Sequence, residues 1–573
     1  MIFIKCKNSS DLNRVYHLTK AFFPNQEIKQ QINTEQEPQL EFILDDGSCF
    51  TVLPDEVSED EEKETLIKRV YHHLSEYTNK TLPWGILTGV RPTKLAMKAI
   101  MEGTREVKNK NCEGDVGDRE ESIIPREERE GERSPEEIER FLCEKYYLSE
   151  EKAKLAVEVA KRERELLAPL DLENGFSLYV SIPFCPSICF YCSFGSGELE
   201  KWQNKVDEYL DRLCDEITAV GDIVDERIER KGEEGKKDFG GITSDEKKVL
   251  RKLNTVYIGG GTPTTLNPEQ FGKLFHTIKK TFSLDNLIEY TVEAGRPETI
   301  TREKLRLFKE AGVTRISINP QSMNQQTLDR VGRNHRVADI VETFKLARQE
   351  AFDNINMDMI IGLPGEGIPE VCATLEQIKK LEPDSLTIHT LAMKRGSEAS
   401  NEHKEKIEAE KRGREKKEYD EEAVNNKENT NQFEDDANQL KANQTEDNYT
   451  EEIDQEDNIN EMLSLCYDAA KEMGLNPYYL YRQKNIAGNF ENVGFAKVDK
   501  AGIYNILMIE ELQTILGVGV GATTKIVTKE KKIVKKDENR TRQDKECNLT
   551  IRRRANTKDI RKYIAEGGRN TTL

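Results

Sequence analysis

The chain has 573 residues, of which 34% are charged and 36% hydrophobic, and its formal net charge at pH 7 is -20. This acidity, without a basic face interleaved with aromatic residues, argues against a nucleic-acid partner. The sequence contains no run of 18 apolar residues, so no membrane span is predicted. Residues 1–15 lack the apolar region of a signal peptide, and we therefore expect a cytoplasmic protein.

Four stretches of the chain are dense in charged and polar residues and show little apolar periodicity. Such segments bury too little apolar surface to offset the entropy lost on ordering, so we interpret them as disordered. The predicted boundaries are 1–103 for an N-terminal α+β domain, 104–136 for a disordered insertion, 137–176 for a helical linker, 177–397 for a central α/β domain with an insertion at 225–250, 398–458 for a further disordered insertion, 459–524 for a small C-terminal region on the substrate side and 525–573 for a charged tail.

Short apolar runs alternate with amphipathic stretches through the central domain. Helical patterns such as 267–282 and 301–312 separate these runs, which indicates βαβ units and a parallel sheet. Six units in series favour an open or partial (β/α)6 barrel, in which the chemistry lies at the carboxyl ends of the strands. The strand-like runs are 177–184, 254–261, 289–295, 314–322, 354–365 and 385–393.

Three of the eleven cysteines lie within the short segment LYVSIPFCPSICFYCSFGS (178–196). An odd number of mostly scattered cysteines is a poor disulfide framework. A structural zinc site needs four ligands, whereas three thiolates can hold an iron–sulfur cluster and leave one iron open for an exogenous ligand. We therefore favour a cluster on Cys185, Cys189 and Cys192, and a zinc site or a purely structural role is the alternative.

Glycine-rich or polar segments follow the next strands at the same predicted edge. The second run ends at GGGTPT (259–264), the third at Glu293 and the fourth at Gln321, and the fifth carries Asp358. Glycines let the backbone approach a ligand without Cβ clashes, and a plain turn is the alternative. For the polar side chains, and for Arg333, the alternative is a capping, turn or surface role.

The motif CPSICFYC after one strand, with GGGTP after the next, resembles the radical S-adenosylmethionine (SAM) superfamily. The resemblance implies a [4Fe-4S] cluster on the three cysteines, with the open iron chelated by SAM. An electron from the cluster would cleave the sulfonium and give a 5′-deoxyadenosyl radical that abstracts a hydrogen atom. The residues that the resemblance implies for cofactor binding are Tyr179, Tyr191, Gly260, Gly261, Thr262, Glu293, Gln321, Arg333, Asp358 and Leu391.

Four longer segments are similar, in order and spacing, to the oxygen-independent coproporphyrinogen III oxidase (dehydrogenase) family, and particularly to its HemZ branch. They are LYVSIPFCPSICFYCSF, YIGGGTPTTL, SINPQSMNQQTLDRVGRNH and NMDMIIGLPGE. The resemblance implies oxidative decarboxylation of two propionates of coproporphyrinogen III to give protoporphyrinogen IX, in heme biosynthesis. It also implies an electron donor such as ferredoxin or flavodoxin, and no catalytic side chain beyond the cluster and SAM.

Two positions depart from the family pattern. Ser181 stands where the best-characterised members have histidine, and Phe194 stands where many have a fourth cysteine. The same gaps occur in relatives that carry heme, so a heme-binding chaperone on the same scaffold is the alternative function. A radical enzyme acting on a nucleic-acid base is a third reading, which the acidic charge disfavours.

A substrate with four propionates requires converging cations. Arg482 and Lys484, together with Tyr481, are predicted to pair with the propionates and to stack on the porphyrinogen, and a Tyr-rich strand is the alternative. Arg91 and Lys94 are a second candidate pair, although Pro92 and the residues after it equally suit the start of a helix.

Overall fold

The computed structural model describes most of the chain outside the charged segments. The described residues are 1–24, 26–32, 40–44, 47–52, 59–89, 91–110, 133–192, 195–229, 252–391, 458–482, 490–533 and 545–568. The predicted insertions at 104–136, 225–250 and 398–458 lie mostly outside these ranges. Within the described ranges, no helix is both long and apolar enough to cross a lipid bilayer.

The N-terminal domain is a four-stranded sheet that packs against two helices. Its elements are β1 (Ile2–Cys6), α1 (Ser9–Phe22), β2 (Ile28–Ile32), β3 (Leu40–Ile43), β4 (Cys49–Val52) and α2 (Glu59–Thr78). The strand order is β2-β1-β3-β4. Alternate residues of β1 are buried, so one face of the strand enters the core. α1 begins after Asn8, whose side chain accepts a hydrogen bond from the backbone N–H of Asp11.

Three helices connect this domain to the rest of the chain: α3 (Thr93–Lys110), α4 (Pro135–Tyr146) and α5 (Glu150–Leu167). α4 begins with a capping box, in which Ser134 and Glu137 exchange hydrogen bonds between side chain and backbone. The structure differs from the predicted boundaries here, because the first residues of the predicted insertion at 104–136 continue α3.

The central domain follows the predicted alternation of strands and helices. Its elements, in chain order, are β5 (Gly175–Ile182), β6 (Phe184–Cys185), β7 (Gly197–Glu198), α6 (Leu199–Trp202), α7 (Val206–Glu229), β8 (Lys252–Gly260), α8 (Pro268–Thr281), β9 (Glu289–Glu293), α9 (Arg302–Glu310), β10 (Arg315–Ser317), α10 (Gln325–Arg330), α11 (Val337–Gln349), β11 (Ile355–Ile361), α12 (Ile368–Leu381) and β12 (Ser385–Thr390). α8 begins with a capping box, in which Asn267 and Gln270 exchange hydrogen bonds between side chain and backbone.

The C-terminal part adds strands to both edges of the central sheet. Its elements are α13 (458–472), β13 (Asn476–Arg482), β14 (Glu491–Ala496), α14 (Ile503–Glu510), β15 (Thr514–Val518), β16 (Thr523–Ile533), β17 (Lys545–Ala555) and α15 (Ile560–Glu566). The sheet has eleven strands in the order β13-β14-β12-β11-β10-β9-β8-β5-β15-β16-β17. The seven strands from β12 to β15 in this order are parallel. The predicted partial (β/α)6 parallel barrel is therefore confirmed, with β15 as a further parallel strand beside β5.

The segment assigned to a charged tail differs from the prediction. Within 525–573, the described residues form most of an antiparallel hairpin, β16–β17, and the helix α15. Val527 is buried in the hairpin, and the buried hydroxyl of Tyr563 in α15 donates to Glu216 of α7. Composition did not predict these elements because their β-branched residues are interspersed with many lysines and arginines, which give the segment the composition of a charged tail.

The barrel interior is polar and is closed at one end by α14. The Glu289 carboxylate accepts the backbone N–H groups of Ile503 at 2.5 Å and Tyr504 at 3.3 Å, which caps the first turn of α14. The ring of Tyr504 consequently stacks on Tyr257 of β8, with the ring centroids 4.4 Å apart. The candidate site lies at the carboxyl ends of the strands. Tyr257 precedes the end of β8 at Gly260, so the stacked tyrosines lie deeper in the barrel than the site.

Candidate active site

The cysteine loop is fixed to the glycine turn that follows β8. The backbone N–H of Gly261 donates to Ile182 O at 2.8 Å, and that of Thr262 donates to Phe184 O at 2.7 Å. The Thr262 hydroxyl lies 3.5 Å from Cys185 Sγ and donates to it. Burial raises the pKa of the Cys185 thiol. The structure thus brings the first cysteine and the predicted glycine-rich turn into direct contact.

The other two cysteines lie on a turn that faces β9 and α10. The backbone N–H of Cys192 donates to Cys189 O at 2.9 Å, which closes the turn between them. Two guanidinium groups approach the middle thiol: Arg296 Nη2 lies 3.1 Å from Cys189 Sγ, and Arg333 Nη1 lies 4.0 Å from it. Each arginine is only 3% exposed. Cys189 is itself only partly buried, and it lies beside two buried positive charges.

Glycine is required at the turn because side chains would collide there. Gly260 has a φ of +112°, and a Cβ atom on it would lie 2.9 Å from Ser181 Oγ. A Cβ on Gly261 would lie 3.0 Å from Cys185 Sγ, and one on Gly259 would lie 2.9 Å from Glu293 Oε2. The backbone thus passes directly between the first cysteine and the carboxylate at the end of β9.

Glu293 is held by a tyrosine from the neighbouring strand. The Tyr257 hydroxyl donates to Glu293 Oε1 at 2.6 Å. Burial, with a further contribution from Asp358, raises the pKa of the Glu293 carboxyl to about 7. The carboxyl group can therefore exchange a proton near neutral pH, and a cationic ligand would favour its ionised form.

Gln321 and Asp358 meet at the adjacent strand ends. The backbone N–H of Gln321 donates to Asp358 O at 2.9 Å, and Gln321 has a φ of +67°. The buried Oε1 atom of Gln321 has no hydrogen-bond partner among the described residues. Asn356 Nδ2 donates to Asp358 Oδ1 at 2.6 Å, and His389 Nε2 lies 3.9 Å from the other carboxylate oxygen. Two adjacent strand ends thus present an unsatisfied acceptor and a partly paired carboxylate.

The remaining predicted cofactor residues lie on two sides of this rim. Tyr179 faces the barrel interior, where its ring is 6.2 Å from that of Tyr257. Tyr191 and Leu391 belong to a small apolar cluster at the rim, and the Tyr191 hydroxyl accepts a hydrogen bond from Arg333 at 3.3 Å. Arg333 also donates to two backbone carbonyls, at 2.6 and 2.7 Å. Much of its donor capacity is therefore already used, although its buried Nε has no partner among the described residues.

The predicted substrate contacts are split between two faces of β13. Tyr481 faces the rim, with its hydroxyl 3.5 Å from His389 Nδ1. Arg482 points to the other face, is 2% exposed and donates to Leu87 O at 2.6 Å, with its guanidinium over the Trp84 ring. Successive residues of a strand alternate between faces, so these two neighbours cannot line one pocket. Lys484 lies outside the described residues.

Arg91, of the second candidate pair for substrate binding, caps a helix. It donates to the backbone carbonyls of Ile509 at 3.2 Å and Glu510 at 2.9 Å, at the carboxyl end of α14. Its guanidinium also lies 3.2 Å from the Glu511 carboxylate. The structural alternative thus explains Arg91, and α3 begins at Thr93, directly after Pro92.

Sequence reasoning missed three side chains that shape the site: Arg296, Tyr257 and Tyr504. Arg296 lies three residues after Glu293, in the segment EAGRPE, at the carboxyl end of β9. Its position after a strand end was an available signal. Tyr504 had no comparable signal, because only the folded chain brings α14 into the barrel.

The residues present fit an anionic group bound at the cysteine loop. Three thiols are soft ligands suited to iron, and the two arginines beside Cys189 require a negative partner to balance their buried charge. Arg296 Nη1, Arg333 Nε and Gln321 Oε1 are buried polar atoms that lack hydrogen-bond partners within the described part of the chain. Among the described residues, no three His, Cys, Asp or Glu side chains are arranged to bind a single metal ion. A cube that binds each thiolate to a different iron does not require such an arrangement.

Comparison with known proteins agrees with this geometry. Residues 179–378 match the model of the Radical SAM superfamily. Members of this superfamily use a [4Fe-4S] cluster and SAM, so the class that the fold and the cysteine loop define is a radical SAM protein.

A curated relative from Bacillus subtilis (strain 168) extends the similarity beyond the barrel. It is the oxygen-independent coproporphyrinogen-III oxidase-like protein HemZ, which is 35% identical over 470 residues, or 81% of this chain and 74% of that protein. The chain therefore belongs to the family of HemZ-like, oxygen-independent coproporphyrinogen-III oxidase-like proteins.

Two other relatives match a smaller share of the chain. The heme chaperone HemW of Bacillus subtilis (strain 168) is 32% identical over 216 residues, which is 38% of this chain and 50% of that protein. The oxygen-independent coproporphyrinogen III oxidase of Escherichia coli (strain K12) is 29% identical over 221 residues, or 38% of this chain and 42% of that protein. The chain thus spans half or less of the length of each of these two relatives.

Proposed function

We propose that the chain catalyses the oxygen-independent oxidative decarboxylation of coproporphyrinogen III to protoporphyrinogen IX. The observation that carries the proposal is the three-cysteine loop, which lies beside unsatisfied buried donors and acceptors at the carboxyl ends of the strands. The family to which the chain belongs supports the choice of substrate. A cytoplasmic location and an electron donor such as ferredoxin or flavodoxin are parts of the same proposal.

Each part of the rim has a role in this proposal. When bound, the cluster and SAM supply a radical that removes a hydrogen atom from the substrate. Cys185, Cys189 and Cys192 bind three irons, and the turn at Gly260 and Gly261 leaves room for the ligand beside them. The side chains proposed to hold SAM, through hydrogen bonds, charge or apolar contact, are Tyr179, Tyr191, Thr262, Glu293, Gln321, Arg333, Asp358 and Leu391.

Glu293 and Asp358 have complementary electrostatic properties. Burial penalises both charges, but His389 and neighbouring donors keep the pKa of Asp358 below its ordinary value. The pKa of Glu293 is raised instead. Asp358 is therefore an ionised acceptor for ribose hydroxyls, and Glu293 ionises most readily when the ammonium group of SAM is beside it.

Tyr481 is the substrate contact that we retain on β13. Its ring stacks with that of Tyr479 at 6.3 Å, and its hydroxyl is near His389 on the face that carries Asp358. An aromatic surface beside the cofactor residues suits packing against the pyrrole rings of a porphyrinogen. Arg482 is excluded from this role because its guanidinium is buried against the N-terminal part of the chain.

A heme chaperone is the second candidate, and Ser181 is the observation that favours it. Ser181 is 4% exposed and lies between two glycine backbones, close to where Cβ atoms on Gly260 and Gly519 would stand. A small, closely packed side chain thus stands where the best-characterised oxidases carry histidine, and the chain is similar over 38% of its length to a heme chaperone.

One experiment separates the two functions. Protein prepared without oxygen is incubated with coproporphyrinogen III, SAM and dithionite, and 5′-deoxyadenosine and porphyrins are quantified by chromatography. We expect vinyl products together with deoxyadenosine, loss of both in Cys189→Ser, and retention in Cys372→Ser, which removes a half-buried cysteine outside the loop. Stoichiometric heme binding with no vinyl product would refute the oxidase proposal in favour of the chaperone.

A further inference from the structure

Arg296 connects the cysteine loop to the end of β9. Its Nη2 atom donates to Ser187 O at 2.8 Å, to Ser187 Oγ at 3.1 Å and to Cys189 Sγ at 3.1 Å. Ser187 Oγ in turn donates to Gly332 O at 2.9 Å. One guanidinium nitrogen therefore reaches both the backbone of the loop and the sulfur of its middle cysteine.

The charge of Arg296 is only partly balanced by its protein neighbours. Its side chain is 4% exposed, and Nη1 lies 3.6 Å from Glu298 Oε1, which is longer than a hydrogen bond. The other oxygen of Glu298 lies 3.1 Å from His335 Nδ1, so this carboxylate is shared between two groups. A buried cation with a shared, distant carboxylate is stabilised by any negative charge on Cys189.

Hydrogen bonds and positive charge at a cluster sulfur favour the reduced cluster, because reduction adds a negative charge. We propose that Arg296 is a positioning residue that donates to the Cys189 thiolate and thereby raises the reduction potential of the cluster. This inference rests on the proposed function, since it requires the three cysteines to bind the cluster. It adds that one side chain outside the cysteine motif sets how readily the cluster accepts its electron.

Arg333 does not duplicate this role. Its guanidinium is 4.0 Å from Cys189 Sγ and donates to Tyr191 and to two backbone carbonyls. Arg296 approaches the sulfur 0.9 Å more closely, as the difference between 4.0 and 3.1 Å shows. It is thus the arginine whose removal should act most directly on the thiolate.

The test is a reductive titration of the reconstituted protein, monitored by electron paramagnetic resonance. Arg296→Met removes the charge and the donors, and Arg296→Lys keeps the charge. Arg302→Gln removes an arginine that pairs with Glu350 on the surface and serves as the control for loss of charge. Ser187→Ala removes the hydroxyl that donates to Gly332 and accepts from Arg296, but leaves Arg296 its contacts with Ser187 O and Cys189 Sγ, and it is the control for loosening of the loop.

We expect Arg296→Met to lower the equilibrium constant for cluster reduction at least tenfold, which is about 59 mV for a one-electron couple. Arg296→Lys should recover most of this loss, and both controls should match the wild type. Equal potentials in Arg296→Met and the controls would overturn the proposal.

If Arg296→Met binds no iron, Arg296→Gln, which keeps a donor but removes the charge, decides. A potential below that of the wild type supports the proposal, whereas an unchanged potential or the loss of its cluster as well, with Arg302→Gln loaded normally, shows that Arg296 only holds the loop. A wild-type protein that binds no iron and sulfide would instead refute the proposed function itself.

Discussion

Replacement of Glu293 by glutamine should stabilise the protein at alkaline pH while weakening SAM binding. Burial raises the pKa of this carboxyl from 4.5 to about 7. A rise of that size corresponds to about 3 kcal/mol between the two protonation states, and partial exposure of the residue reduces the effect to about 1–2 kcal/mol. Glutamine carries no charge, so Glu293→Gln avoids this cost. Functional residues commonly reduce stability in this way.

The sign of the pH dependence follows from the direction of the shift. The folded chain holds a proton on Glu293 between pH 4.5 and about 7, so the contribution of this group to stability is lost as the pH rises through about 7. Glu293→Gln and the wild type should therefore unfold alike at pH 4 and diverge by pH 8. Glu298 provides a matched control, because its pKa is lowered through His335 although burial opposes the shift. Glu298→Gln should be less stable than the wild type at pH 8.

The assay is urea unfolding of the protein without cofactors at pH 4, 6 and 8, paired with calorimetric titration of the loaded protein with SAM. The prediction is a pH-dependent gain in the free energy of unfolding for Glu293→Gln, together with weaker SAM binding. A Glu293→Gln variant that is less stable than the wild type at pH 8 would refute the reasoning about burial.

Three further predictions concern neighbouring residues. Tyr257→Phe removes a 2.6 Å hydrogen bond to the Glu293 carboxyl. Because hydrogen bonds to charged groups contribute about 1.5–3 kcal/mol, we expect calorimetry to show SAM binding weakened about tenfold. An unchanged affinity would contradict this prediction. Gly260→Ala should lower the free energy of unfolding by about 1–3 kcal/mol, since φ is +112° and Ser181 Oγ lies 2.9 Å from the added Cβ. Gly272→Ala has open space in the middle of α8 and should raise it by about 0.5–1 kcal/mol. Equal effects of the two substitutions would contradict this prediction. Glu491→Gln should lower the free energy of unfolding by about 3–5 kcal/mol, because the buried Lys152 ammonium, 2.8 Å from Glu491, then keeps only the half-exposed Glu151 as a charged partner; a loss below about 1 kcal/mol would show that the pair is dispensable.

The parallel strands could be predicted because their signal is local. Each of the six runs is apolar, short and bounded by turn residues. A strand that is buried on both faces of the sheet has consecutive apolar residues, which the sequence shows directly. β15 has the same apolar composition, but it lies far along the chain from β5, its neighbour in the sheet. The local sequence of β15 therefore does not indicate which strand it pairs with.

Side-chain direction was the least predictable property of the site. Tyr481 and Arg482 are adjacent in the sequence, and both suit a porphyrinogen by residue type. Adjacent residues of a strand lie on opposite faces, and which of these two faces the rim depends on the register of β13 against β14, which the local pattern does not determine. The contact between Arg296 and Cys189 could not be predicted either, because only the fold brings the guanidinium beside the Cys189 sulfur.

The proposed chemistry requires the three cysteines to bind an iron–sulfur cube. The most direct measurement is elemental and sulfide analysis of protein purified without oxygen, for the wild type and for a variant in which Cys185, Cys189 and Cys192 are all serine. We expect iron and acid-labile sulfide in equal amounts, about four of each per chain, and their loss in the triple variant. Stoichiometric zinc without sulfide in the wild type would contradict this expectation.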